Sequence, residues 1–176
     1  MKDILEKARA IKVVIFDVDG VLTDGSLFIG DDGQEYKAFN SRDGHGMKML
    51  QKTGVEIAII TGRTSEVVKH RISDLGIKTV YQGQHDKTVA FRDLLKNKQL
   101  TPAECAYVGD DVVDLPVMSQ VGLAIAVQDA HPMVIKHSHW QTPSVGGQGA
   151  GRDVCEMIME AQGSLQAELE SYLHKD

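Results

Sequence analysis

The chain has 176 residues, enough for one domain with a sizeable core and too few for two ordinary ones. Apolar residues make up 42% and charged residues 25%, a globular balance. Nineteen Lys and Arg against 25 Asp and Glu leave a net charge of −6 with no basic block, which argues against binding nucleic acid or an anionic membrane.

Residues 1–10 mix charged and apolar positions and read as a short amphipathic helix, not a signal peptide. The first strand, 13–16, runs into Asp17-Val18-Asp19-Gly20-Val21. Residues 26–39, SLFIGDDGQEYKAF, read as strand, Asp-Asp-Gly turn and strand, a β-hairpin. A helix over 46–52 precedes the second strand, 55–60, which ends at Thr61-Gly62-Arg63. A helix over 64–75 leads to the third strand, 79–81, and Asp86-Lys87 opens the helix 87–96. Thr101-Pro102-Ala103-Glu104 has the shape of a capping box, predicting one helical turn before the fourth strand, 106–108. Gly109-Asp110-Asp111 comes next, with Asp114 one turn on, then a helix over 112–120 and a strand over 123–127. GGQGAG at 146–151 reads as a flexible glycine run before a last amphipathic helix, Arg152 to about Leu173.

Continuous apolar strands alternating with helices predict an α/β fold, a Rossmann-like doubly wound and mostly parallel sheet. The chain reads as a single domain, 1–176, with a hairpin flap at 26–39. Cys105 and Cys155 fall in a strand and a helix and read as small buried residues, not as a disulfide or a metal site. The longest apolar runs are too short to span a bilayer. A cytoplasmic, reduced setting fits these features.

Ligands in open α/β sheets sit beyond the carboxyl ends of the strands. The residues just past each strand should therefore share one rim: a carboxylate pair, a hydroxyl, an ammonium and a second acidic cluster. That set suits phosphoryl transfer to a carboxylate. One carboxylate attacks phosphorus, and a second protonates the leaving alkoxide and later deprotonates water. Mg²⁺, held by oxygen ligands, would separate the phosphoryl charge from the carboxylates. An Asp-x-Asp-Gly calcium loop fails, because Val21 would occupy its third ligand position. Each segment alone also has a plain meaning as a turn, a cap or a solvated Lys; their joint placement carries the functional reading.

The segments DVDGV, TGR, Lys87 and GDDVVD resemble, in order and spacing, the four motifs of the haloacid dehalogenase superfamily of phosphatases. The resemblance implies Asp17 as nucleophile and Asp19 as general acid and base. Thr61, Gly62 and Lys87 would bind the phosphoryl group. It also implies Mg²⁺ on the carboxylates of Asp17 and Asp110 and the backbone carbonyl of Asp19, with Asp111 and Asp114 supporting those ligands from behind. No cap domain fits between the motifs, so either the substrate is large or another subunit is the lid. The β-prone hairpin could pair with another chain, or fold back over its own active site.

Beyond the shared motifs, FNSRDGHG, AVQDAHP and GGQGAGRDV look like the capless family of 3-deoxy-D-manno-octulosonate 8-phosphate phosphatases, over residues 11–162. That family implies a homotetramer whose active sites a neighbour completes, and a product that feeds lipopolysaccharide synthesis. Relatives acting on nine-carbon sialic-type sugar acid phosphates carry Glu at the position of Arg63 and Lys at that of Asp74, so TGR points to the eight-carbon acid. Arg63, Arg71 and His70 are candidates to meet its carboxylate, alternatively solvated helix residues. His45, Leu115 and Gln148 depart from the family pattern, Gln148 at a position that is often Arg. A nine-carbon or broader sugar phosphatase is the nearest alternative. A phosphoacceptor signalling domain is the rival of another class, but its phosphorylated Asp would come after the third strand, where this chain has only Gln82 to His85.

Overall fold

The computed structural model describes residues 2–173. Six strands form one sheet: β1 (Val13–Phe16), β4 (Glu56–Ile60), β5 (Thr79–Tyr81), β6 (Cys105–Gly109), β7 (Leu123–Ala126) and β8 (Trp140–Gln141). Their order is β5-β4-β1-β6-β7-β8, and every neighbouring pair is parallel. The expected doubly wound sheet is present. All four residues of β1 and of β7 are buried, as strands covered on both faces must be. The hairpin, β2 (Phe28–Ile29) and β3 (Glu35–Tyr36), is a separate two-stranded ribbon. Among the described residues no cap domain is inserted.

The helices form two layers. On one face α1 (Lys2–Arg9) and α2 (Ser41–Lys52) flank α7 (Ala150–Ala161), with α3 (Glu66–Asp74) beside α2. On the other face α5 (Leu115–Met118) lies between α4 (Lys87–Lys98) and α6 (Pro132–His137). α2 begins earlier than expected, because the Asn40 side chain accepts from Arg42 N–H and caps it. The expected helix over 112–120 is a 3₁₀ turn, Val112–Asp114, followed by the single turn α5.

Four expectations need correction. The last helix ends at Ala161, the chain turns at Gly163, and a short α8 (Leu165–Glu170) comes after it. The hairpin strands are two residues each, shorter than SLFI and EYKAF suggested. Helix α6 and strand β8 went unread, because Trp140–Gln141 is too short to show any period. The glycine run is packed, not loose: a Cβ on Gly146 would lie 1.8 Å from the Gly20 carbonyl oxygen. Gly147 N–H donates to Val21 O (2.9 Å) and Gly146 N–H to Asp129 Oδ1 (2.9 Å). Cys105 and Cys155 are buried free thiols, as expected. Met1 and residues 174–176 lie outside the described residues, including the first residue of the expected N-terminal helix.

Candidate active site

Strand order reverses between β1 and β6, and a crevice opens beyond the strand ends at such a point. Asp17 directly follows β1 and is tied to β6 by its N–H, which donates to Val108 O (3.1 Å). Asp110 directly follows β6. The sheet topology thus brings together two carboxylates that are far apart in the chain.

The loop after β1 is wound tightly. Asp17 Oδ1 accepts from Val18 N–H (2.7 Å), and Val18 O accepts from Leu22 N–H (2.9 Å) and Thr23 N–H (3.1 Å). Gly20 has φ +85°, and a Cβ there would lie 2.1 Å from Asp110 Oδ2. Only glycine lets the loop come this close to the Asp110 carboxylate.

Lys87 opens α4, whose N-cap Asp86 accepts from Thr88 N–H (2.9 Å). The Lys87 ammonium is buried between Asp17 Oδ2 (2.8 Å) and Asp114 Oδ1 (2.7 Å). Asp114 Oδ1 also accepts from Tyr107 Oη (2.7 Å), and its Oδ2 from the N–H groups of Asp110 (3.0 Å) and Asp111 (3.3 Å). Asp111 caps the 3₁₀ turn by accepting from Val112 N–H (2.7 Å). The sequence GDDVVD therefore folds as a capping box whose last Asp sits under the turn and fixes Lys87.

Electrostatics leave a charge deficit. Burial, then Asp114, pushes the Asp17 carboxyl up to about 6. The same causes, with Asp17 added, push Asp110 up to about 8. Burial works against the Lys87 ammonium, but Asp17 and Asp114 outweigh it and hold its pKa above the ordinary value. Three carboxylates thus share one ammonium. Oxygens of Asp17, Asp110 and Asp114 lie within 4.8 Å of one another, a spacing fit for a metal ion. Asp114 already serves Lys87, Tyr107 and two backbone N–H groups, so we assign it to support and not to coordination. Asp110 Oδ1 is buried without a partner, and this orphaned oxygen is the observation that the donor set fits a hard cation.

Over these groups lies an open cavity of about 470 Å³. Asp17, Asp19, Thr61, Gly62, Arg63, Lys87, Asp110 and Asp111 line it, together with Gly25, Gln84, His85 and Val113. Thr61 directly follows β4, held by its N–H to Tyr81 O (2.9 Å) and by its carbonyl, which accepts from Gln84 N–H (3.0 Å).

Residues 77–151 match the model of the haloacid dehalogenase-like hydrolases. The chain is 48% identical over 163 residues to 3-deoxy-D-manno-octulosonate 8-phosphate phosphatase of Escherichia coli, covering 93% of this chain and 87% of that one. The chain belongs to this phosphatase family of the haloacid dehalogenase-like hydrolases. The crystal structure of the Yersinia pestis phosphatase superposes with a TM-score of 0.92 at 47% identity, over 93% of this chain and 89% of that one. The Moraxella catarrhalis phosphatase, in complex with a magnesium ion, a phosphate ion and a KDO molecule, superposes with a TM-score of 0.96 at 40% identity, over 98% and 99%.

Set beside the haloacid dehalogenase motifs, all four segments reach one cavity. Two of the candidate residues do not. Arg71 turns to the start of α2, where its Nη2 donates to Asn40 O (3.2 Å) and its guanidinium stands over the Phe39 ring at 5.8 Å. His70 is exposed on the same helix and does not line the cavity. Of the three candidate cations only Arg63 lines the site. Sequence reasoning missed Lys37: its ammonium pairs with Asp19 Oδ1 and lies 3.1 Å from Glu35 Oε1. The available signal was the strand period, which puts Glu35 and Lys37 on one face of the hairpin and Tyr36 on the other.

Proposed function

We propose that the protein is a Mg²⁺-dependent phosphatase that hydrolyses 3-deoxy-D-manno-octulosonate 8-phosphate to the free sugar acid and phosphate. The observation that carries this reading is the paired Asp17 and Asp110 at the strand-order reversal, with Lys87 against Asp17 and Asp19 on the same cavity. The named relatives supply the substrate.

Asp17 Oδ attacks phosphorus and the bond to the sugar oxygen breaks, giving an aspartyl phosphate. Asp19 gives its proton to the leaving oxygen. It then takes one from the water that attacks phosphorus and frees Asp17. Lys87, Thr61 and Gly62 hold the phosphoryl oxygens. The carboxylates of Asp17 and Asp110 and the carbonyl of Asp19 would hold Mg²⁺, which supplies positive charge to the phosphoryl group. We assign Arg63, which lines the cavity, to the sugar acid's carboxylate. We read residues 1–176 as one catalytic domain working in the cytoplasm, its product entering lipopolysaccharide synthesis. Leu27, Phe28, Ile29 and Tyr36 are exposed on the hairpin; this supports a homotetramer in which hairpins meet and a neighbour covers each cavity.

A panel of phosphate esters with Mg²⁺, including the eight- and nine-carbon sugar acid phosphates, tests this function. The eight-carbon ester should give the highest kcat/KM. Preference for the nine-carbon ester would move the assignment to that family, and absence of phosphate release from every ester would overturn it.

A further inference from the structure

A lysine normally keeps its ammonium in water. Lys37 does not: its side chain has 0% exposure, with its charge between the carboxylates of Asp19 and Glu35. Glu35 Oε1 also accepts from Arg63 Nη2 (3.1 Å), and Arg63 Nε lies 4.0 Å from Asp19 Oδ2. Asp19, Lys37, Glu35 and Arg63 therefore close a ring of alternating charge across the cavity mouth. Two members come from the hairpin, one from the loop after β1 and one from the end of β4.

Burying an ammonium is costly unless both its partners are held in place. Here the arrangement fixes one carboxylate in particular. Asp19 stands next to Gly20, on a loop whose other close neighbour, Asp110, is a carboxylate that would repel it. With Oδ1 held by Lys37, Oδ2 is the oxygen that remains toward Arg63 and the cavity.

We propose that Lys37 is a positioning residue: it holds the Asp19 carboxylate, once its proton has gone to the leaving oxygen, in place to take the proton of the attacking water, and makes the hairpin part of the catalytic apparatus. This rests on the reading of Asp19 as general acid and base. Lys37 does not touch the reacting atoms in this scheme. It acts through Asp19, so the placement of the hairpin is read out at the proton-transfer step.

The test is a double-mutant cycle on kcat and KM in the intact Mg²⁺-loaded enzyme, with 3-deoxy-D-manno-octulosonate 8-phosphate as substrate. Lys37→Met should lower kcat by roughly 10- to 100-fold, as misplacement of a reacting group does, while KM and Mg²⁺ affinity stay close to those of the parent. In the Asp19→Asn background the same change should have almost no further effect on kcat. Lys37→Arg should restore part of the loss. If Lys37→Met does not fold, Glu35→Gln removes the other partner of the ammonium and should show a smaller kcat loss that again vanishes with Asn at position 19. Equal losses in both backgrounds, or a rise in KM alone, would mean that Lys37 meets the substrate directly and would overturn the proposal. Full kcat for Asp19→Asn alone would instead overturn the reading of Asp19, and the proposal with it.

Discussion

Asp17 and Asp110 are poised between two states of charge. Without a cation their carboxyls are raised from the ordinary 3.8 to about 6 and about 8, chiefly by burial. The folded protein then holds protons that the unfolded chain has already released. Stability of the metal-free protein should fall as pH rises from about 4 to about 8, since protons must leave the folded state across that window. Saturating Mg²⁺ should flatten the slope, because the ion favours the ionised carboxylates. Thermal unfolding at pH 5 and pH 8, with chelator and with Mg²⁺, checks this; a metal-free protein more stable at pH 8 would refute it. Asp17→Asn should abolish turnover, since an amide cannot attack phosphorus. A variant keeping even a tenth of the parent rate, with deamidation excluded by mass spectrometry, would remove Asp17 from the nucleophile's role. These residues were legible because each comes directly after a strand, and strands of unbroken apolar residues are easy to place. Lys37 was not, because the strand period sets it on one face with Glu35 but Asp19 meets it only once the hairpin has folded back, a tertiary event with no local signature.

At the scale of elements, the glycine loop before α7 shows how far local reading reaches. GGQGAG is rich in the residue that frees a backbone, and in isolation it reads as flexible. Here the missing side chains serve close packing instead, with Gly146 and Gly147 pressed on the loop that carries Asp17 and Asp19. Gly146→Ala should therefore cost about 1–3 kcal/mol, as overpacking does, and should also weaken Mg²⁺ binding by displacing the Asp19 carbonyl. Urea unfolding and metal titration measure the two effects. Unchanged values for both would mean that the loop yields without cost. The break between α7 and α8 at Gly163 was missed for a related reason: amphipathic spacing continues across it, and the turn interrupts the helix without interrupting the pattern.

For the whole molecule, the open question raised by the sequence was whether the hairpin covers its own site or faces another chain. The fold divides the answer between its two faces. Glu35 and Lys37 turn inward to Arg63 and Asp19, whereas Phe28 and Tyr36, paired across the ribbon on its other face, are 58% and 61% exposed. An apolar face of this kind on a short unpaired ribbon suits contact with further copies. Replacing Phe28 and Tyr36 together by Asp should lower the mass measured by light scattering while leaving the inward face intact. An unchanged mass would mean that assembly does not use the hairpin. If the mass falls and the preference for the sugar acid phosphate over a small aryl phosphate is kept, the neighbour is not the lid.

The contact of Gly146 with Gly20 joins segments separated by more than a hundred residues of chain. Such a closure is entropically expensive and is made late, after the nearer strands have paired. During synthesis β1 through β6 can assemble before residues 144–149 have emerged to brace the loop after β1. A product cut short before residue 144 would have its acidic cluster in neighbouring strands and still lack the backbone that packs on Gly20 and Val21.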